Sequence, residues 1–161
     1  MIGFGRQRGV ELTTDPLFAH RVRRLVRISS VALGVIALLA IRSDAPGWSI
    51  AMLAAGWVLM PTILALSLRR PTVRYGLIIP ASLVTVGLLG PMSVSTGASL
   101  VGWVMILIGI LVGGTLGMWF WYRWLPVPSG FDDPYSARRI VLIGAHIGLV
   151  LCGAAIVFNA T

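Results

Sequence analysis

The sequence predicts an all-α fold: a polytopic integral membrane protein with five transmembrane helices, N-terminus cytoplasmic and C-terminus external. Three observations lead there. Of 161 residues, 57% are hydrophobic and 11% charged, with mean hydropathy +0.92, whereas a soluble domain carries about 25% charged residues. Five apolar stretches have interiors free of Asp, Glu, Lys and Arg. Threading the chain through those stretches places twelve of its thirteen basic residues on one side.

A helix needs about 20 mainly apolar residues to cross a hydrocarbon core of ~30 Å. The expected spans are Leu25–Ile41, Trp48–Leu68, Tyr75–Met92, Leu100–Tyr122 and Ile140–Phe158. A basic cytoplasmic segment, 1–24, precedes this five-helix unit of residues 25–158, and a short external tail, 159–161, follows it. The first span is the shortest and carries Arg27, Ser29 and Ser30. Charge placement decides it, because arginine accumulates in short cytoplasmic segments. With five spans, only Arg42 lies opposite the other arginines; if the first stretch does not cross, the split is seven against six. A cleaved signal peptide also offers a basic start, an apolar run and "SDA" before Pro46. The long leading segment and a proline after the cut favour an uncleaved signal anchor.

Spans two and three contain Pro61 and Pro80, where a lost backbone hydrogen bond favours a kink. Broken helices form ion sites in transporters, but tolerated kinks are commoner in membranes. Span four reads "GILVGGTLG", with Gly109, Gly113 and Gly117 spaced by four; span five carries Gly144, Gly148 and Cys152 at the same spacing. Such spacing stacks small residues on one face and lets two backbones approach. Spans four and five are therefore expected to pair through these faces, with a subunit interface as the other use of either. At the cytoplasmic end of span four, "MWFWYRWLPVP" sets Trp119, Trp121 and Trp124 in an aromatic belt at the membrane surface. The same rings could border a quinone or pigment.

All thirteen basic residues are arginine, and the net charge is +8. The absence of lysine suggests a GC-rich genome, hence a bacterial source. A pI near 11.5 would suit nucleic acid, but arginine flanking apolar spans normally faces anionic lipid. Arg23, Arg24, Arg69, Arg70, Arg123, Arg138 and Arg139 are the candidate headgroup contacts. A single cysteine, Cys152, excludes an intrachain disulfide and a cysteine-based zinc site.

His146 is the histidine expected inside a span, a functional candidate by default. With no acidic partner in the membrane, a bond to a neighbouring helix backbone is the stronger expectation, and His20 is too shallow to join it as a second haem ligand. Thr62, Ser82, Thr85 and Thr115 could line a neutral pore, yet such hydroxyls commonly bond back to their own helix.

The loop "FDDPYSARRIVL" at 131–142 carries adjacent Asp132 and Asp133. Its "DPYSAR" resembles the start of the CDP-alcohol phosphotransferase signature, D-G-x-x-A-R. That resemblance implies a lipid-headgroup-modifying enzyme with metal-binding aspartates. Pro134 replaces the glycine, and no carboxylate follows Asp133, so the two-metal geometry of that chemistry has no ligands. A helix start is the better reading: Asp133 as cap, Pro134 at the first position. "TDPLFAHRVRRLV" repeats the device with Asp15 and Pro16.

The expected role is a non-catalytic accessory, assembly or stabilising subunit of a larger membrane protein complex, respiratory or photosynthetic, in the bacterial cytoplasmic membrane. No intrinsic cofactor and no metal are expected; bound lipids are, and nucleic acid is not a partner. A small pore or carrier acting as an oligomer is the alternative, and a lipid-modifying enzyme the least favoured.

Overall fold

The computed structural model describes residues 16–67, 69–112 and 136–161. Every element among them is helical, with no strand. Helix α1 is Pro16–Arg42 and α2 is Gly47–Ser67. A 3-10 helix, Pro71–Leu77, leads into α3, Ile78–Gly87, and α4, Leu89–Val94. Helices α5, Gly97–Ile110, and α6, Ser136–Ala160, complete the described chain. Two stretches, Gly47–Ser67 and Tyr75–Val94, are long and apolar enough to cross a membrane; α5 and 144–160 are shorter apolar helices.

Helix α1 starts at Pro16, where its fixed φ suits a first helical position. Residues 16–24 are thus the first turns of α1. At about 1.5 Å per residue the helix is about 40 Å long, against about 31 Å for α2. Its end is a Schellman motif: Ala45 N–H donates to Ala40 O at 3.0 Å and Asp44 N–H to Ile41 O at 3.2 Å. Asp44 takes the left-handed position, φ 52°, which Asp tolerates better than most residues. Ala45 buries against Ala40, and Pro46 then ends the turn and offers its carbonyl to Ser49 and Ile50.

The prolines behave differently from one another. Pro61 sits inside a continuous α2. The third apolar stretch is divided instead: Pro71 opens the 3-10 segment, and Pro80 and Pro91 fall in the first turns of α3 and α4. There a missing N–H costs nothing, because no intrahelical acceptor awaits it. Arg70 is extended, φ −134°, as a residue before proline prefers.

The helices stack as antiparallel neighbours. On α2 against α3–α4, Ser49 meets Gly90, Leu53 meets Gly87, and Gly56 meets Val84. The paired numbers sum to nearly one constant, so the register is continuous around the turn at 69–70. Ser49 Oγ donates to Gly87 O across this seam at 2.7 Å, fully buried. Helix α1 packs on α2, where Trp57 Nε1–H donates to Ser30 O at 2.8 Å and the indole lies over Gly34. Helix α5 packs most extensively on α6. One core joins α1, α2, α3, α5 and α6 around Trp103, which is 0% exposed. A smaller cluster, Leu64 and Leu77 with Val26, sits toward the α2–α3 turn.

Candidate functional site

The expected pairing of spans four and five appears as the α5–α6 hairpin, but on a different face of α6. Gly102 and Gly153 pack directly on each other: a Cβ on Gly102 would lie 2.8 Å from Gly153 O and 3.0 Å from Val157 N. Gly109 lies against Val150, Leu149 and the His146 carbonyl. Gly144 and Gly148 have nothing within 4 Å of an added Cβ, so they take no part in this contact. The reason is helical phase. His146, Val150, Gly153 and Val157 follow the i, i+4, i+7, i+11 rhythm, roughly opposite to Gly144 and Gly148. On α5 the partners Gly102 and Gly109 are seven apart, a two-turn repeat that a four-residue reading passes over. Gly113 and Gly117 lie outside the described residues.

His146 is half-buried on this seam, and its Nδ1 lies 2.6 Å from Gly109 O. A carbonyl only accepts, so Nδ1 carries the hydrogen and donates. Two to three residues beyond Gly109, at 111–112, the chain leaves α5 in a π-type winding. The imidazole therefore serves as an interhelical tie at the point where α5 changes its winding. Among the described residues no three His, Cys, Asp or Glu side chains come together as metal ligands.

The hydroxyls proposed for a pore point to their own helices. Thr62 Oγ1 donates to Val58 O, Ser82 Oγ to Ile78 O and Thr85 Oγ1 to Ala81 O, at 2.7–2.8 Å. Thr62 and Ser82 also lie on the outer surface of the bundle, so within one chain these groups share no interior path. Thr115 is outside the described residues.

The antiparallel order gathers the described arginines by end. Arg23, Arg24 and Arg27 on α1 and Arg69 and Arg70 in the α2–α3 turn are exposed at one end. Arg138 and Arg139 occupy the first turn of α6, at the same end. Arg42 stands at the other, its guanidinium 4.8 Å above the Phe158 ring, a cation–π contact that joins the C-terminal ends of α1 and α6. Arg123, Trp119, Trp121 and Trp124, with Asp132, Asp133 and Pro134, lie outside the described residues.

Sequence reasoning passed over Trp103, Trp57, Ser49 and the glycines Gly56, Gly87, Gly90, Gly102 and Gly153. Gly87 and Gly90 carried a usable signal, two glycines one turn apart beside a proline. Trp103 carried none, because a tryptophan in an apolar run reads equally as belt, lipid contact or core.

These features define an all-helical protein, two of whose helices are long and apolar enough to cross a membrane. No protein-family model matches the chain, and no curated protein or solved structure does either.

Proposed function

We propose that the chain is a five-span protein of the bacterial cytoplasmic membrane and serves as a non-catalytic accessory or assembly subunit of a larger membrane complex, respiratory or photosynthetic. The membrane reading draws on the charge gathering at one end and on the aliphatic exterior, which includes Val31, Leu38, Val141 and Leu151. The basic end then faces the cytoplasm. In a Cys152→Ser background, a cysteine at Arg69 should react only from the cytoplasmic side and one at Thr161 only from outside. Labelling of both from one side would remove the five-span topology.

The observation that carries the subunit role is the open face of α6. Gly144 and Gly148 are exposed and meet nothing among the described residues. In lipid, where apolar contact with a neighbour gains little over contact with acyl chains, close backbone approach at small residues is a main source of helix association. An unfilled face of this kind suits a helix of a larger partner. Purification in mild detergent should return the chain with larger membrane proteins in fixed stoichiometry. The Gly144→Leu/Gly148→Leu variant should lose about tenfold of that partner, a change of ~1.4 kcal/mol, while the chain itself stays folded. Recovery of the wild-type chain alone would count decisively against the role.

A further inference from the structure

We infer that the outward face of α1 is a binding site for an anionic phospholipid, its phosphate held by Arg23, Arg24 and Arg27 and its acyl chain laid along the same helix face. This rests on the proposal above that the chain crosses a bilayer.

His20, Arg23, Arg24 and Arg27 follow i, i+3, i+4, i+7 spacing, so they share one face of α1. All four are exposed. The other side of the helix is the packed one, with Val26 in the smaller cluster and Leu33, Ile36 and Ala40 in the main core. Beyond Arg27 the outward face becomes wholly aliphatic within one turn: Val31, Val35 and Leu38 continue it, each exposed. One helix face thus carries a cationic head section joined directly to a hydrocarbon section.

Length and charge both narrow the occupant. From His20 to Arg27 the helix rises about 10 Å, which matches one polar headgroup layer once arginine side chains reach along the surface. An acidic protein segment would answer the arginines but leave the aliphatic continuation uncovered. An amphiphile with an anionic head and a long tail answers both. The only acidic side chain among the described residues is Asp44, at the far end of α1. The arginines therefore face a surface with no described counter-charge, where each is expected to favour an anionic over a zwitterionic headgroup by about fivefold.

The test uses the full chain, reconstituted in nanodiscs of phosphatidylcholine and phosphatidylglycerol at 3:1 and then released into mild detergent for native mass spectrometry. The wild type is expected to retain phosphatidylglycerol at least about fivefold over its share of the mixture. Arg23→Gln/Arg24→Gln/Arg27→Gln should bring retention back to the mixing ratio, and Arg69→Gln/Arg70→Gln should leave most of the preference. Equal loss in the two variants would mean bulk charge and no site on α1. Displacement of the lipid by millimolar inorganic phosphate would remove the acyl-chain half of the inference. No preference in the wild type, with preference gained in Asp132→Asn/Asp133→Asn, would show that the chain's own acids cover the face. Co-isolation of an acidic protein in place of lipid would equally overturn it. Resistance to alkaline carbonate extraction, measured in parallel, reads the membrane proposal separately: a chain that is extracted fails there, before the lipid question arises.

Discussion

Replacing Trp103 by alanine is expected to destabilise the bundle by about 3 kcal/mol, the low end of the cost of such a truncation in water-soluble cores. On the proposed membrane reading the low end applies, because a helix bundle in lipid loses packing when a cavity opens but little transfer energy. Trp103 is the largest fully buried side chain among the described residues, and its indole joins a core drawn from α1, α2, α3, α5 and α6. Equilibrium unfolding in mixed micelles would measure the loss. Trp103→Phe is expected to behave quite differently. The Nε1–H of Trp103 is buried without a hydrogen-bond acceptor among the described residues, and an orphaned donor costs about 1–3 kcal/mol. Phenylalanine removes that cost while giving up part of the ring volume, so the two effects nearly cancel. A Trp103→Phe variant as unstable as Trp103→Ala would show that the indole N–H has a partner, a bound water being the simplest.

Gly102→Ala and Gly153→Ala should each cost about 1–3 kcal/mol, the range for overpacking. Either methyl would be aimed at backbone of the facing helix, at Gly153 O and Val157 N in one direction and at Ile106 N in the other. A flexible side chain could rotate away, whereas backbone yields only if the helices part. Once one alanine has parted them, the second meets less resistance, so the double variant should fall short of the sum by about 1 kcal/mol. Gly144→Ala and Gly148→Ala serve as controls. Both positions are open, and alanine is the better helix former by up to about 1 kcal/mol, so neither should lose stability. Equal costs at Gly144 and Gly102 would mean that α6 is rotated from the orientation described.

What could be read from the residues follows from where the physics is local. Some helix ends were legible because proline, charge and turn chemistry act within a few residues: Pro16, Arg42 and Pro46 mark observed boundaries, whereas the expected starts at Leu25 and Leu100 lie inside helices that begin at Pro16 and Gly97. The α5–α6 pairing was legible because both stretches are rich in small residues and flank one connection. The face was not. Helix α6 offers Gly144 and Gly148 on one side and Gly153 on another, and composition alone does not rank them. Only the register imposed by α5 does so, placing Gly102 on Gly153 and Gly109 on the His146 turn. The segmentation of the third stretch was hidden for a related reason. A proline reads as a kink unless the residues before it have already left the α conformation, as Pro71–Leu77 have. Trp103 and Ser49 are properties of tertiary packing and have no local signature.

The neighbour-on-neighbour order of the helices bears on how the chain assembles. The close seams join elements adjacent in sequence: α1 with α2, α2 with α3 and α4, α5 with α6. The α1–α2 and α2–α3 contacts close short loops and carry little entropic penalty, so each of those hairpins can form as soon as its second arm is synthesised, whereas α5 and α6 meet across residues 111–135. Beyond the shared core around Trp103, the contact between α1 and α6 also joins elements distant in sequence, sparse and clasped at Arg42 and Phe158. It must wait for the last helix to emerge. Until then the flank of α1 that α6 will meet stays uncovered, so this side of the bundle is the last to close.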